Sequence, residues 1–202
     1  MLVVNVLTAG FASPNGRAFL MPLILHRETL RDSGLDVRLI NSATEATADC
    51  DVLMIDGRVY STRWNSESEA VLSELADFRE KVRHLIYVSI ADSAGWDHAR
   101  ALPHVSLYCK SQLLRDRRAY LKPLYGHRIY ANYYHENFGV EDSVASYSEP
   151  ALNESYLSKL AVSWNSGLGD YSWLGPFRMK LYEYLPLKSL LRFPDRKSTR
   201  LN

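Results

Sequence analysis

The sequence predicts an α/β protein with a mostly parallel, Rossmann-like sheet flanked by helices. Two observations predict it. Short β-branched apolar runs recur along the chain, and amphipathic helical patterns alternate with them. That β-α-β rhythm favours parallel strands joined by helices on both faces. Loops rich in Gly, Asp, Ser and Asn follow the runs, where open α/β sheets carry their ligand sites.

The elements follow in order. "LVVNVLT" (2–8) has the short, continuous apolar character of a buried parallel strand. "GRAFLMPLILHRETLRDSG" (16–34) is amphipathic at helical spacing and ends on Gly34. Pro22 falls inside it, so the helix is expected to start or bend there. "DVRLI" (36–40) and "CDVLMID" (50–56) are the next two strands. "SESEAVLSELADFREKV" (66–82) is a helix with Ser66 as N-cap and Glu67 and Glu69 in the first turn, where the helix dipole favours acids. "HLIYVSI" (84–90) and "VSLYCK" (105–110) are the fourth and fifth strands, and 159–164 is a candidate sixth. "FRMKLYEYLPLKSLLRF" (177–193) has a helix-like pattern. No internal repeat or low-complexity block interrupts the series.

Composition bounds the rest. The 202 residues are 47% hydrophobic and 23% charged, an ordinary globular balance with material for one good core. Cys50 and Cys109 lie in or beside apolar runs and read as small buried hydrophobes of a reducing compartment. "MLVVNVLTAG" lacks the basic start of a signal peptide. No uncharged apolar run approaches the roughly 18 residues of a membrane span. A cytoplasmic protein is expected.

"LTAGFASPNGRAFL" (7–20) occupies the first strand-to-helix turn. A dinucleotide loop there needs Gly-x-Gly-x-x-Gly, and a Walker loop needs Gly-Lys-Ser/Thr. The glycines are Gly10 and Gly16, so neither phosphate cradle is present. The position still suits a ligand, with Asn15 and Arg17 at the helix mouth. The competing reading makes Asn15 a helix cap and Arg17 a solvated first-turn residue. "IDGRVYSTRW" (55–64) adds Asp56, Arg58, Tyr60 and Trp64. "SIADSAGWDH" (89–98) adds Ser89, Asp92, Ser93, Trp96, Asp97 and His98. Rings that stack on sugars, with acids and an arginine that orient hydroxyls or phosphates, are the equipment of a polar-ligand site. The plainer alternative is that Asp92 and Ser93 only cap a turn. Asp92 and Asp97 are general-base candidates, with Asp92 as the catalytic one.

Other chemistries lack their spacing. The six histidines show no HxH or HxxxH, and the cysteines are far apart, so no metal site is read. No Gly-x-Ser-x-Gly elbow occurs. No cofactor is expected. The segment 109–142 interleaves Lys110, Arg115, Arg117, Arg118, Lys122 and Arg128 with tyrosines. The near-neutral chain, 24 basic to 23 acidic residues, argues against nucleic acid as partner. An anionic group such as a diphosphate, or an acidic membrane surface, suits the segment better. The alternative is a solvated helix face at 111–120 followed by a tyrosine-packed loop.

"SPNGRAFLMPLILHRETLRDSGLDVRLI", "CDVLMIDGR", "LPHVSLYCKSQLLRDRRAYLKPLYGHRIYANYYHENFGVED" and "LAVSWNSGLGDY" together resemble the N-terminal half of bacterial GT-B, family-1-type glycosyltransferases of surface-polysaccharide assembly. The resemblance covers most of residues 1–175 and is a family flavour without a catalytic signature. It implies an acceptor-binding domain at 1–175 and a helical segment at 176–194 leading toward a second domain. The implied partners are a sugar or lipid-linked acceptor, a nucleotide-sugar donor held by that second domain, and a peripheral contact at the inner membrane face. Asn15, Arg17, Asp56, Arg58, Trp96, Asp97 and Asn165 become its substrate-binding candidates, the last in the glycine-rich turn 164–176 near the cleft or hinge. "RKSTRLN" (196–202) resembles the adapter-derived tails of short-read assemblies. The expectation is a non-native tail over 195–202 and a natural chain continuing past about Pro194. Without its three cations the balance is 21 basic to 23 acidic residues, a net of −2. Two other classes stay open. One is a non-enzymatic α/β ligand-binding or receiver-like module, favoured by Asp56 ending the third strand but lacking an acidic pair after the first. The other is a different Rossmann enzyme, disfavoured by the missing fingerprint.

Overall fold

The computed structural model describes residues 1–91, 99–126, 129–141, 148–149, 151–164 and 176–184. The first strand, β1 (Leu2–Leu7), runs into α1 (Pro14–Leu25) and the short α2 (Arg27–Asp32), and the chain returns as β2 (Leu35–Ile40). β3 (Val52–Asp56) follows, then a 3-10 turn at Gly57–Tyr60, the one-turn α3 (Arg63–Ser66) and α4 (Ser68–Lys81). β4 (His84–Ser89) and β5 (Leu107–Lys110) complete the centre of the sheet. The chain then makes an excursion containing β6 (Leu124–Tyr125), α5 (Ile129–Phe138) and β7 (Ser148–Glu149). It rejoins the sheet as β8 (Leu160–Val162) and continues to α6 (Pro176–Tyr184).

Six strands form one parallel sheet in the order β2-β1-β3-β4-β5-β8. β6 and β7 pair antiparallel as a separate small ribbon. The protein is therefore a doubly wound α/β structure, as the alternation of runs predicts. Its order is the flavodoxin-type 2-1-3-4-5 with one added edge strand, distinct from the dinucleotide-type 3-2-1-4-5-6. The order reverses between β1 and β3, which makes their carboxyl ends the topological switch point.

Strand alternation divides the core in two. Val4, Val6, Val37, Val52 and Val88 pack with Phe19, Leu20 and Ile24 of α1 and with Met179 of α6. Leu7, Leu53, Ile55, Leu85, Tyr87 and Tyr108 pack with Val71, Leu75 and Phe78 of α4. Trp164, just past β8, stacks on Phe19 at 5.0 Å and donates Nε1–H to the Phe19 carbonyl at 2.9 Å. The end of the sixth strand is thereby fastened to α1.

Several local expectations change. The helical pattern of 16–34 is two helices. α1 begins at Pro14, runs through Pro22 and breaks at His26, where the His26 N–H turns back to Pro22 and Ile24 carbonyls. Pro22 lacks an N–H, yet the turn around it is held by packing of Phe19, Met21 and Ile24 into the core. Ser66 does not cap α4. It ends α3, and Glu67 occupies the capping position without a side-chain bond. The helix imagined at 111–120 is a 3-10 turn at Arg117–Leu121, while the expected tyrosine loop contains α5. α6 ends its described course at Tyr184, and the remainder of 177–193 lies outside the described residues.

Candidate functional site

Five polar or charged side chains are buried among the described residues: Asn5, Thr8, Asp56, Ser89 and Lys110. Four of them stand at the carboxyl ends of four adjacent strands, β1, β3, β4 and β5. They form two pairs. Thr8 Oγ1 donates to Asp56 Oδ2 at 3.0 Å across the switch point. Lys110 Nζ donates to Ser89 Oγ at 3.2 Å on the neighbouring strands. Alternation puts the first pair at the edge of the α1 layer and the second at the edge of the α4 layer.

The first pair organises the loop of residues 8–17. Thr8 Oγ1 accepts the Gly10 N–H at 3.1 Å while donating to Asp56, so one hydroxyl joins the loop to β3. Gly10 takes a positive φ of 79°, which glycine adopts without steric cost. A Cβ on Gly16 would meet the Gly10 carbonyl at 2.9 Å, so the helix start lies directly on the loop backbone. Ser13 caps α1, accepting the Gly16 N–H at 2.9 Å. This corrects the capping role read for Asn15. Asn15 sits in the first turn and donates Nδ2–H to the Ile90 carbonyl at 3.2 Å, tying α1 to the chain after β4. Arg17 is half-buried and folds back on its own loop. Its Nη1 donates to the Phe11 and Ala12 carbonyls at 2.8 and 3.0 Å, closing the loop onto the helix.

Asp56 is fully buried. Burial pushes its carboxyl pKa above the usual 3.8, against the pull of the Arg58 N–H, the Thr8 hydroxyl and the Arg58 charge. The Arg58 N–H reaches Oδ1 at 3.0 Å and starts the 3-10 turn. The Arg58 side chain itself is exposed at the rim. Gly57 is required by close approach, since a Cβ there would lie 2.9 Å from the Tyr87 hydroxyl and 3.0 Å from the Val88 carbonyl.

Tyr60 and Trp64 are corrected from ligand-stacking rings to core. Both are buried, and Trp64 Nε1 donates to the Tyr87 hydroxyl at 3.0 Å. Tyr60 donates to Glu74 on α4 at 3.1 Å, and its phenol pKa is pushed well up by burial and by Glu74. Their amphipathic spacing after an "IDG" turn satisfied a rim and a core equally well; only the path of the 3-10 turn under α4 distinguishes them. Lys110 is likewise removed from the solvated basic segment, being fully buried at the end of β5. Thr8 has no role in the sequence analysis, and Lys110 stands there in the basic segment and not at this edge of the sheet. Their signal was a polar residue closing an apolar strand run, the same signal carried by Asp56 and Ser89.

Asp92, Trp96, Asp97 and Asn165 lie outside the described residues, as do Ser93, His98 and most of the glycine-rich turn. The structure thus brings together Asn15, Arg17, Asp56 and Arg58 on one rim, with Ser89 two strands from β1. Among the described residues no group of three His, Cys, Asp or Glu side chains could hold a metal. Cys109 is buried in the α1 layer, which pushes its thiol pKa up to about 11, and Cys50 is also raised by burial. Neither thiol has the depressed pKa of a nucleophile. No family model, no curated protein and no solved structure matches the chain.

Proposed function

We propose that this chain is the acceptor-binding domain of a glycosyltransferase that moves sugar from a nucleotide-sugar in surface-polysaccharide synthesis, working at the inner membrane face. The supporting observation is the gathering of buried polar side chains at the carboxyl ends of four adjacent strands around the switch point. That edge is where doubly wound sheets take polar ligands, and the resemblance to GT-B enzymes supplies the class. In this reading Asp56 and Thr8 hold the first loop in shape, Asn15 and Arg17 fix the start of α1, and the exposed Arg58 meets the acceptor. Its guanidinium suits a phosphate-bearing acceptor. The donor belongs to a second domain of the same architecture, and Asp92 is the proposed base.

The test uses ligand-observed NMR on the chain with a short prenyl-diphosphate-linked sugar and, separately, with UDP- and GDP-sugars. Saturation transfer to the acceptor analogue, lost in Arg58→Ala, is the expected result, with only weak binding of nucleotide-sugars. Tight nucleotide-sugar binding in calorimetry would put the donor site on this domain and overturn the assignment.

The receiver-like module remains the second reading because of the strand order and the aspartate at the end of β3. Asp56 is enclosed and already bonded to Thr8 and Arg58, and Thr8-Ala9-Gly10 stands where acids would follow β1. Phosphorylation of Asp56 by acetyl phosphate, seen as an added phosphate by intact mass, would favour that reading over the first.

A further inference from the structure

The sheet ends on β2 at one side, and the ladder to β1 uses only half of that strand's backbone. Leu2 N–H donates to the Gly34 carbonyl at 2.7 Å and Thr8 N–H to the Ile40 carbonyl at 2.9 Å, at the two ends of the β1–β2 pair. Alternation then turns the N–H and C=O groups of Asp36 and Arg38 toward β1 and those of Leu35, Val37 and Leu39 outward. Among the described residues no strand or loop hydrogen-bonds these outward groups. The opposite edge strand, β8, has three residues against the six of β2. The side chains of Leu35, Val37 and Leu39 pack into the α1 layer, which puts Asp36 and Arg38 together on the other face.

An open edge of this length invites pairing, and charges along it ordinarily prevent that. Here the charges have opposite signs and flank Val37. Arg38 Nε meets Asp36 Oδ2 at 2.9 Å, and Arg31 of α2 meets Oδ1 at 3.4 Å. The two arginine side chains are 60% exposed at Arg31 and 43% at Arg38, so both have room to turn to a second acid. The segment Leu35-Asp36-Val37-Arg38-Leu39 is complementary to itself read backwards. An antiparallel second copy with its two-fold axis at Val37 sets Leu35 against Leu39, Val37 against Val37 and Asp36 against Arg38. Leu35, Val37 and Leu39 then form the hydrogen-bonded pairs. Asp36 and Arg38 form the pairs between them, where opposed side chains stand closest. An axis at Leu35 sets Asp36 against Gly34, and an axis at Leu39 sets Arg38 against Ile40. Either shift loses both ion pairs, so the charges select one register.

From this register we propose that β2 is a self-association edge, through which two copies of the chain form a symmetric dimer with one continuous sheet. The contact is isologous, each copy offering the same strand. Because β2 runs antiparallel to its copy, the two carboxyl edges face opposite ways and each switch point stays open. The inference stands apart from the proposed function and does not rest on it. Sedimentation equilibrium should show a dimer whose population rises with concentration. Arg38→Asp sets acid against acid, and Asp36→Arg sets base against base. Each alone should weaken self-association by about tenfold or more. An equimolar mixture of the two variants restores both ion pairs and should form a heterodimer, which variants that had merely lost stability would not do. Circular dichroism checks that each variant is folded. The wild-type chain supplies a readout that needs no variant. Amide exchange at Leu35, Val37 and Leu39 should slow as concentration rises, while Asp36 and Arg38, already bonded to β1, change little. A monomer at every concentration, a dimer unchanged in the folded variants, a mixture that does not associate, or outward amides indifferent to concentration would overturn the inference. So would concentration-dependent protection of α5 with β2 unchanged, since the contact would then be the exposed rings of that helix.

Discussion

Asp56 concentrates the chemistry of the switch point in one side chain. Its carboxyl is buried, bonded by Thr8 and the Arg58 N–H, and held above its ordinary pKa by desolvation. The sign of the pH effect follows from linkage. The unfolded carboxyl loses its proton near 3.8 and the folded one only at higher pH. Its contribution to stability is therefore most favourable below 3.8, declines as pH rises toward the folded pKa, and is constant above it. Asp56→Asn keeps an acceptor for the Arg58 N–H and removes the buried charge. It should flatten this part of the pH–stability profile and leave stability at pH 7 within about 1 kcal/mol of wild type, as urea unfolding across pH would measure. Gly57 behaves oppositely. Gly57→Ala forces a Cβ against the Tyr87 hydroxyl and the Val88 carbonyl, and the backbone carbonyl has no rotamer to change. A loss of about 1–3 kcal/mol in chemical denaturation is expected.

At the scale of elements, α1 shows how a cap is decided. Asn15 and Ser13 are both good capping residues. Pro14 favours the first helical position, which leaves Ser13 as the cap and turns Asn15 toward Ile90. Ser13→Ala should cost about 1 kcal/mol of stability in thermal or urea unfolding. Asn15→Ala should leave the cap intact and act instead on the link between α1 and the chain after β4. A larger stability loss for Asn15→Ala than for Ser13→Ala would contradict this division. β8 is short, and the Trp164 stack on Phe19 fastens its end. Trp164→Ala should destabilise the protein by about 3 kcal/mol.

For the whole molecule, stability is expected to fall from the centre of the sheet outward. β1, β3 and β4 are covered by both buried clusters, while α5 and α6 expose Phe138, Phe177 and Tyr184. Amide hydrogen exchange should be slowest in β1, β3 and β4 and fastest in α5 and α6. Equal protection of α5 and β3 would show that the excursion after β5 shares the core's cooperativity.

The central strands β1, β3, β4 and β5 were legible because a parallel strand buried on both faces must be a continuous apolar run, and runs such as 2–8, 50–56 and 84–90 have few other solutions. The carboxyl edge on which the buried polar side chains gather was legible for the same reason, since it depends only on where those runs stop. What the sequence by itself determined was thus the layer architecture and the rim on which polar residues would gather. The tertiary structure alone decided the order 2-1-3-4-5, the burial of Tyr60, Trp64 and Lys110, and the turning of Arg17 back onto its own loop. The physical reason is that each of these depends on a neighbour distant in the chain. A tyrosine, tryptophan or lysine has an apolar body and a polar tip, and its local pattern is the same whether the tip finds water, a ligand or a buried partner.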